Sequence, residues 1–201
     1  MFFCGQDQSS DYTSGMTAAP DWQRWYRIEP QARYTPQIGA LVEMLTYVRM
    51  TTLHDVKGLT TEQLWATPPG FENSIGALLT HIAAVERAYH LFSLEGRDLD
   101  RKRDAALLGG LSMGREGTPP PSGQSLETLL GELQESRAVT LAALAERDDA
   151  WLASHLTVPG FDFPNHHWAW FHVMEDEVNH RGQIRLIRKL VAPAPQPKTS
   201  A

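Results

Sequence analysis

The residues best suited to chemistry lie in EDEVNHRGQIRLIRKL, residues 175–190, a helical pattern near the end of the chain. Asp176 and His180 are four residues apart, so on a helix they project side by side, about one turn apart. Both point toward the apolar side of that helix, where a carboxylate and an imidazole cost free energy unless they are compensated. A hydrogen bond between the two side chains, or a bound metal ion, would supply that compensation.

A third candidate ligand, His81, lies in ALLTHIAAVE, a helical stretch that is apolar around most of its circumference. Alone, it is typical of a core histidine satisfied by one hydrogen bond. Combined with Asp176 and His180 from a facing helix, it completes a three-ligand site with an open position. Two imidazole nitrogens and one carboxylate oxygen suit zinc, nickel, iron or manganese and do not select among them. The alternative is a structural Asp–His pair that packs without a metal.

His172 competes with Asp176 as a ligand because it lies four residues before it. Helix geometry turns the direction of His172 about 80° away from that of His180, which makes it the second choice. The remaining histidines are interpreted as surface or capping residues: His54, His90, His155, His166 and His167.

Three further polar residues flank the candidate site in the sequence. Gln183 lies three residues after His180 and is predicted to orient a ligand or the substrate, which makes it the candidate catalytic residue. Arg181 points elsewhere on the helix and is expected at the surface. Glu86, five residues after His81, is interpreted as a surface salt-bridge residue in preference to a helper base.

Four long helical patterns must position these residues, and no strand pattern of any length accompanies them. The patterns cover 36–56, 74–96, 125–147 and 165–190. Pro36 suits the first turn of the first pattern, and Asn73 or Ser74 and later Ser125 suit N-caps. Thr60 and Gln63 predict a capping box on a short extra turn. Residues 97–124 and 148–164 are interpreted as connections.

These patterns predict an all-α fold, a four-helix bundle. A helix of about 20 residues is about 30 Å long, so a connection between parallel neighbours needs about nine or more extended residues. Residues 97–124 supply that length easily, whereas such a loop is unusual between antiparallel neighbours. We therefore expect the second and third helices to run parallel, joined by a long crossover.

Composition limits the alternatives further. The chain has 201 residues, 42% of them hydrophobic, which predicts one domain over 31–192 with a poorly ordered arm at 1–30 and a disordered tail at 193–201. A net charge of −6 argues against binding nucleic acid through phosphates. The one cysteine, Cys4, excludes a disulfide framework within the chain. We expect no secretory signal and no membrane span, and hence a cytoplasmic protein.

Two segments together resemble the DinB/YfiT-like superfamily of metalloenzymes: SIGALLTHIAAVERAYH and HVMEDEVNHRGQIRLIRKL. The segment GLTTEQLWATPPGFENSIGALLTHIAAVE is similar to the connection that precedes the ligand-bearing second helix in that superfamily, and the likeness covers about 34–192. The resemblance implies a four-helix bundle with a long crossover and a divalent metal held by His81, Asp176 and His180. Asp176 departs from the pattern, since the superfamily more often has His or Glu there.

The resemblance also implies thiol-dependent chemistry, because characterised members mostly use low-molecular-weight thiols such as mycothiol or bacillithiol. The expected function is a metal-dependent thiol S-transferase acting on electrophilic small molecules. The alternatives are a metal-dependent hydrolase and a non-enzymatic stress-response bundle with a relic metal site. The expected partners are a small-molecule substrate and a second copy of the chain, with no nucleic acid and no membrane.

Overall fold

The computed structural model describes residues 26–113, 122–157 and 165–192, and within these ranges the fold is all-α, as predicted. The described ranges contain no strand, only an isolated antiparallel bridge between His155 and Asn165. The described ranges contain seven α-helices in chain order: α1 Pro36–Val56, α2 Thr61–Trp65, α3 Ile75–Ser93, α4 Ala105–Ser112, α5 Leu126–Leu144, α6 Asp149–Ala153 and α7 His166–Val191.

The long helices begin where the local sequence predicts them. Pro36 occupies the first turn of α1. Ser74, Ser125 and Asn165 cap α3, α5 and α7, and each side chain accepts a backbone N–H three residues further on. Such caps satisfy amide groups that have no partner within the helix. The predicted capping box of Thr60 is also present at the start of α2.

The two predicted connections are not purely loops, because each contains a short helix. Helix α4 lies within 97–124, where the glycines and prolines of the sequence predicted irregular structure. Helix α6 lies within 148–164 and is capped by Asp148. Short helices gain most of their stability from packing, and α4 packs against α3 while α6 packs against α1 and α7. Residues 114–121 and 158–164 lie outside the described residues.

The four long helices pack side by side, with α1 against α7, α7 against α3, α3 against α5 and α5 against α1. Apolar clusters fill the two ends of this arrangement. One contains Leu78 of α3 with Leu129 of α5, and the other contains Val85 of α3 with Leu144 of α5. Helices α3 and α5 therefore run in the same direction, which agrees with the expected bundle and its long crossover.

Between the two apolar clusters lies a charged layer with one residue from each long helix: Arg49, Glu86, Arg137 and Glu177. Each of these side chains is at most 2% exposed. The prediction that Glu86 forms a surface salt bridge is therefore wrong, since its carboxylate accepts hydrogen bonds from both arginines inside the protein. We call these four residues the ionic layer.

Residues 1–25 and 193–201 lie outside the described residues, so most of the predicted arm and the whole predicted tail stay predictions. Residues 26–30 are described and are exposed to solvent. Among the described helices, none combines the length and the apolar character needed to cross a membrane.

Candidate metal centre

The fold brings the three predicted ligands together between α3 and α7. His81 of α3 and His180 of α7 both direct Nε2 at Oδ1 of Asp176, at 3.6 Å and 3.4 Å. The two imidazole rings lie edge to face, with their centroids 4.7 Å apart. One potential ligand atom from each residue lies within 4.8 Å of the other two. The helical spacing and the facing of the two helices were therefore predicted correctly.

The site is almost enclosed by protein. His81 is 8% exposed and His180 is 9% exposed, and the Asp176 side chain is 15% exposed. The predicted apolar stripe of α7 faces the core, because Val173, Ile184 and Ile187 are all buried. Three polar side chains thus share a largely dehydrated space, where their unmet hydrogen-bonding capacity is costly.

A backbone carbonyl fixes the proton on the His81 ring. His81 Nδ1 lies 3.0 Å from the carbonyl oxygen of Gly110 in α4. A carbonyl oxygen only accepts hydrogen bonds, so Nδ1 carries the proton, and in the neutral ring Nε2 presents its lone pair to Asp176. This is the arrangement found around metal-binding histidines, whose second ring nitrogen donates to a carbonyl or carboxylate.

Two atoms of the site have no hydrogen-bond partner within the described parts of the chain. They are Oδ2 of Asp176 and Nδ1 of His180, and both are buried. The contacts of 3.4 Å and 3.6 Å to Oδ1 are also longer than a typical N–H···O bond. By contrast, ligands held at about 2.0–2.1 Å around a tetrahedral ion stand about 3.3 Å apart. The donor set and its spacing therefore fit a divalent metal.

The electrostatics of the site favour a cation. Burial raises the pKa of the Asp176 carboxyl, but the contacts with His180 and His81 outweigh it and hold the pKa well below its usual range. Burial lowers the pKa of the His81 imidazole, but Asp176 and the Gly110 carbonyl raise it above its ordinary value. Burial, together with the Asp176 charge, raises the pKa of the nearby Tyr89 to about 12. The negative charge of Asp176 thus dominates the site.

His172, the competing ligand, is not part of this group. Its Nδ1 lies 3.1 Å from Oε2 of Glu175, and its ring stacks on Trp168 with centroids 5.0 Å apart. Gln183 is exposed on α7, and its proposed role stays a prediction. Arg181 departs from its predicted surface position, since it is half-buried and donates a hydrogen bond to Thr51 of α1.

The structure also corrects the prediction that His166 is a surface or capping residue. His166 is 8% exposed, its Nδ1 lies 2.8 Å from the hydroxyl of Ser93, and its ring stacks on Trp151. The same hydroxyl accepts a hydrogen bond from Nε1 of Trp170. Its position in the first turn of α7 did not reveal this burial. Of the other histidines, His54 and His155 are exposed, and His90 and His167 are half-buried.

An all-α chain in which two imidazoles and a carboxylate converge between two long helices has the framework of a helical metalloprotein. The family model described as mycothiol-S-transferase matches residues 40–193, most of the chain. The chain belongs to this family, which confirms the resemblance to the DinB/YfiT-like superfamily. No curated protein matches the chain at a significant level.

Proposed function

We propose that this protein is a metal-dependent S-transferase that joins a mycothiol-type thiol to electrophilic small molecules. The family match supports the thiol-transfer class. The observation that carries the metal dependence is the convergence of His81 Nε2, His180 Nε2 and the Asp176 carboxylate, in which Asp176 Oδ2 is buried without a partner. Nothing in this group satisfies the carboxylate as well as a divalent cation would.

His81, Asp176 and His180 would hold zinc, nickel, iron or manganese, and the donor set does not choose among them. A divalent ion at this position supplies positive charge that lowers the pKa of a thiol bound to it. The chain's own contribution is to keep the ligands ready. The Gly110 carbonyl holds the His81 ring, and the low pKa of Asp176 keeps its carboxylate ionised.

The transfer itself exchanges one bond for another. The thiol releases its proton to water, and the sulfur forms a bond to the electrophilic carbon. The leaving group departs with the electron pair of the bond that breaks. Because its pKa is about 12, Tyr89 keeps its hydroxyl proton at neutral pH and remains a hydrogen-bond donor beside the site.

The substrate is proposed to approach from the side of Asp176, which is the most exposed of the three candidate ligands with 15% of its side chain exposed. Gln183, exposed on α7, is proposed to orient it through its amide group. On the other side, Trp168 and His172 stack, and Tyr89 meets His172 edge to face. These aromatic rings suit the apolar part of an electrophile. The expected homodimer stays a prediction, which sedimentation of the purified protein would check.

A panel of thiols tests this proposal. The purified protein is loaded with each candidate metal and incubated with a chromogenic aryl halide and mycothiol, bacillithiol, glutathione or cysteine. We expect halide release that requires both the metal and a thiol, with mycothiol the best thiol. His81→Ala is expected to lose the activity. Glu135→Ala, which removes an exposed carboxylate of α5, is the matched control.

Two results would contradict the proposal in different ways. Hydrolysis of esters or amides by the metal-loaded protein without any thiol would favour the hydrolase. A protein that takes up no metal, and whose thermal stability no metal raises, would favour a non-enzymatic bundle, because a ligand that binds the folded state must stabilise it.

A further inference from the structure

Helix α4 contacts the candidate metal centre through its backbone, at Gly110 and Leu111. The carbonyl oxygen of Gly110 accepts the hydrogen bond of His81 Nδ1 at 3.0 Å. Gly110 is buried although it lies in a connection that the sequence predicted to be a loop. The crossover between α3 and α5 therefore takes part in the site, although it carries none of the three ligands.

The close approach of α4 to α3 requires that Gly110 has no side chain. A Cβ on Gly110 would lie 2.8 Å from Cβ of Ala84 and 3.6 Å from both Cγ2 and the carbonyl oxygen of Thr80. Thr80 precedes His81 directly, and Ala84 lies one turn after it. The backbone of α4 thus enters the groove that surrounds the base of the His81 side chain, and a methyl group would force it out.

The position of Gly110 within α4 also makes its carbonyl a good acceptor. The carbonyls in the last turn of a helix lack partners within the helix, and they lie at its negative end. Gly110 is in the last turn of α4. Outside the regular helix pattern, its carbonyl accepts one backbone hydrogen bond among the described residues, a long one of 3.4 Å from the amide of Met113. The His81 ring supplies the hydrogen-bond donor that this carbonyl lacks within the helix.

We propose that Gly110 is a positioning residue for the metal centre. Its carbonyl selects the ring form of His81 that carries the proton on Nδ1, and the missing side chain is what allows that carbonyl to reach the ring. This inference rests on the proposed function, because it takes the Nε2 lone pair of His81 to bind the metal. The ring form of His81 is a property of the metal-free protein and can be measured separately.

The test compares Gly110→Ala with the wild-type protein in two measurements. Long-range ¹H–¹⁵N spectra of the metal-free protein, recorded at a pH above the raised pKa of His81, report which nitrogen of the neutral ring carries the proton. Competition with a chromophoric chelator gives the Kd for Zn²⁺. We expect Gly110→Ala to lose the single Nδ1-protonated form and to bind Zn²⁺ about 10–100-fold more weakly. A loss of this size is typical when a group that hydrogen-bonds to a metal ligand is removed.

A second substitution separates positioning from general damage to the fold. Ala84→Gly removes the Cβ that the new methyl group would meet at 2.8 Å. The double variant Gly110→Ala/Ala84→Gly is therefore expected to regain the ring form and most of the Zn²⁺ affinity. Its stability should stay below that of the wild type, because glycine within α3 disfavours the helix. Gly131→Ala on α5, where a Cβ meets nothing within 4 Å, is the matched control.

The inference is overturned if Gly110→Ala folds, keeps the Nδ1-protonated ring and binds Zn²⁺ as the wild type does. It is also overturned if the double variant folds and regains neither property. If the wild type itself binds no Zn²⁺, the metal dependence of the proposed function is wrong. The ring form of His81 in the wild type, Gly110→Ala and the double variant still decides the role of Gly110.

Discussion

Arg49 and Glu177 pair in the interior of the protein, with Arg49 Nε 2.9 Å from Oε1 of Glu177. Glu177 directly follows the candidate ligand Asp176, so this pair anchors α7 beside the metal centre. Arg49 also binds Glu86 of α3 at 2.8 Å, and Arg137 of α5 bridges the same two glutamates. Each arginine therefore ties α3 to α7, the two helices that carry the three candidate ligands.

The ionic layer has no formal net charge, since it contains two arginines and two glutamates, and its members satisfy one another closely. Nη1 of Arg49 and Nη1 of Arg137 each donate to a backbone carbonyl, at 2.6 Å in both cases. Burial raises the pKa of Glu86, but the two arginine charges outweigh it and lower the pKa to about 2. Removing one member would leave an uncompensated charge in a dehydrated space.

We expect Arg49→Met to reduce the free energy of unfolding by about 3–5 kcal/mol, the loss typical of breaking a buried ion pair. Urea denaturation of the metal-free protein measures it. Arg87→Met is the matched control, because Arg87 pairs with Glu135 at the surface, where the two side chains are 42% and 73% exposed. Arg87→Met should reduce the free energy of unfolding by less than about 1 kcal/mol. Equal losses in the two variants would contradict this account of the ionic layer.

Replacing the whole ionic layer should cost less than removing one member. In Arg49→Met/Glu86→Leu/Arg137→Met/Glu177→Leu no charge is left unpaired, and apolar packing replaces the costly burial of four charges. We expect this variant to be more stable than Arg49→Met in the same urea experiment. If the four-residue variant is the less stable of the two, the attraction within the ionic layer stabilises the fold by more than the free energy that burial of its charges costs.

Asp176→Asn should weaken Zn²⁺ binding by at least about 10–100-fold, since it alters a candidate ligand itself and not only a group that hydrogen-bonds to a ligand. The amide has nearly the shape of the carboxylate but lacks the charge that favours a cation. Isothermal titration with Zn²⁺ measures the effect, and Glu175→Gln, which alters the neighbouring carboxylate, is the control. His172→Gln should bind Zn²⁺ as the wild type does. If His172→Gln loses the metal and Asp176→Asn keeps it, His172 is the ligand.

Gln183→Ala should lower kcat/KM about tenfold, equivalent to about 1.4 kcal/mol, while Zn²⁺ affinity and stability stay unchanged. Gln183 is exposed and does not belong to the group of three candidate ligands, so its proposed contact is with the substrate. The halide-release assay measures the effect. Asn179→Ala, also exposed on α7, is the matched control. Equal rates for Gln183→Ala and the wild type would remove Gln183 from the mechanism.

His166 should make folding sensitive to mild acid. Burial, with the positive charges of Arg147 and His155, lowers the pKa of His166 below its ordinary value of 6.5. The folded state then binds fewer protons than the unfolded state, so this contribution to stability is complete above pH 6.5 and is lost as the pH falls toward the lowered pKa. Urea denaturation at several pH values between about 7.5 and 5 measures the slope.

His166→Gln should flatten that slope, because the proton-binding difference disappears with the imidazole. All other titrating groups are shared with the wild type, so the difference between the two curves reports on His166. His54→Gln, which changes an exposed histidine at the end of α1, should keep the wild-type slope. Parallel curves for the wild type and His166→Gln would show that His166 titrates alike in both states.

Features that depend on local spacing could be predicted from the order of the amino acids. The sequence predicted helix starts at Asn73 or Ser74, near Ser125 and near Asn165, since a cap acts within one turn, and the caps are Ser74, Ser125 and Asn165. The spacing of Asp176 and His180 placed them side by side, because the helical repeat fixes which residues share a face. The apolar surroundings of His81 placed it in the core. Together these local rules predicted the all-α fold and the three side chains that converge as candidate ligands.

Which charged residues are buried, and which contacts α4 makes, depend on how the helices pack against one another. A local signal for the ionic layer exists, since each of its members lies four residues after a buried aliphatic residue: Leu45, Ile82, Leu133 and Val173. That spacing alone does not show whether a charge turns inward, because burial becomes affordable only when partners from other helices surround it. The carbonyl of Gly110 has no sequence signature at all. Its hydrogen bond to His81 depends on how closely two backbones approach, and that distance is set by packing between elements remote in the chain.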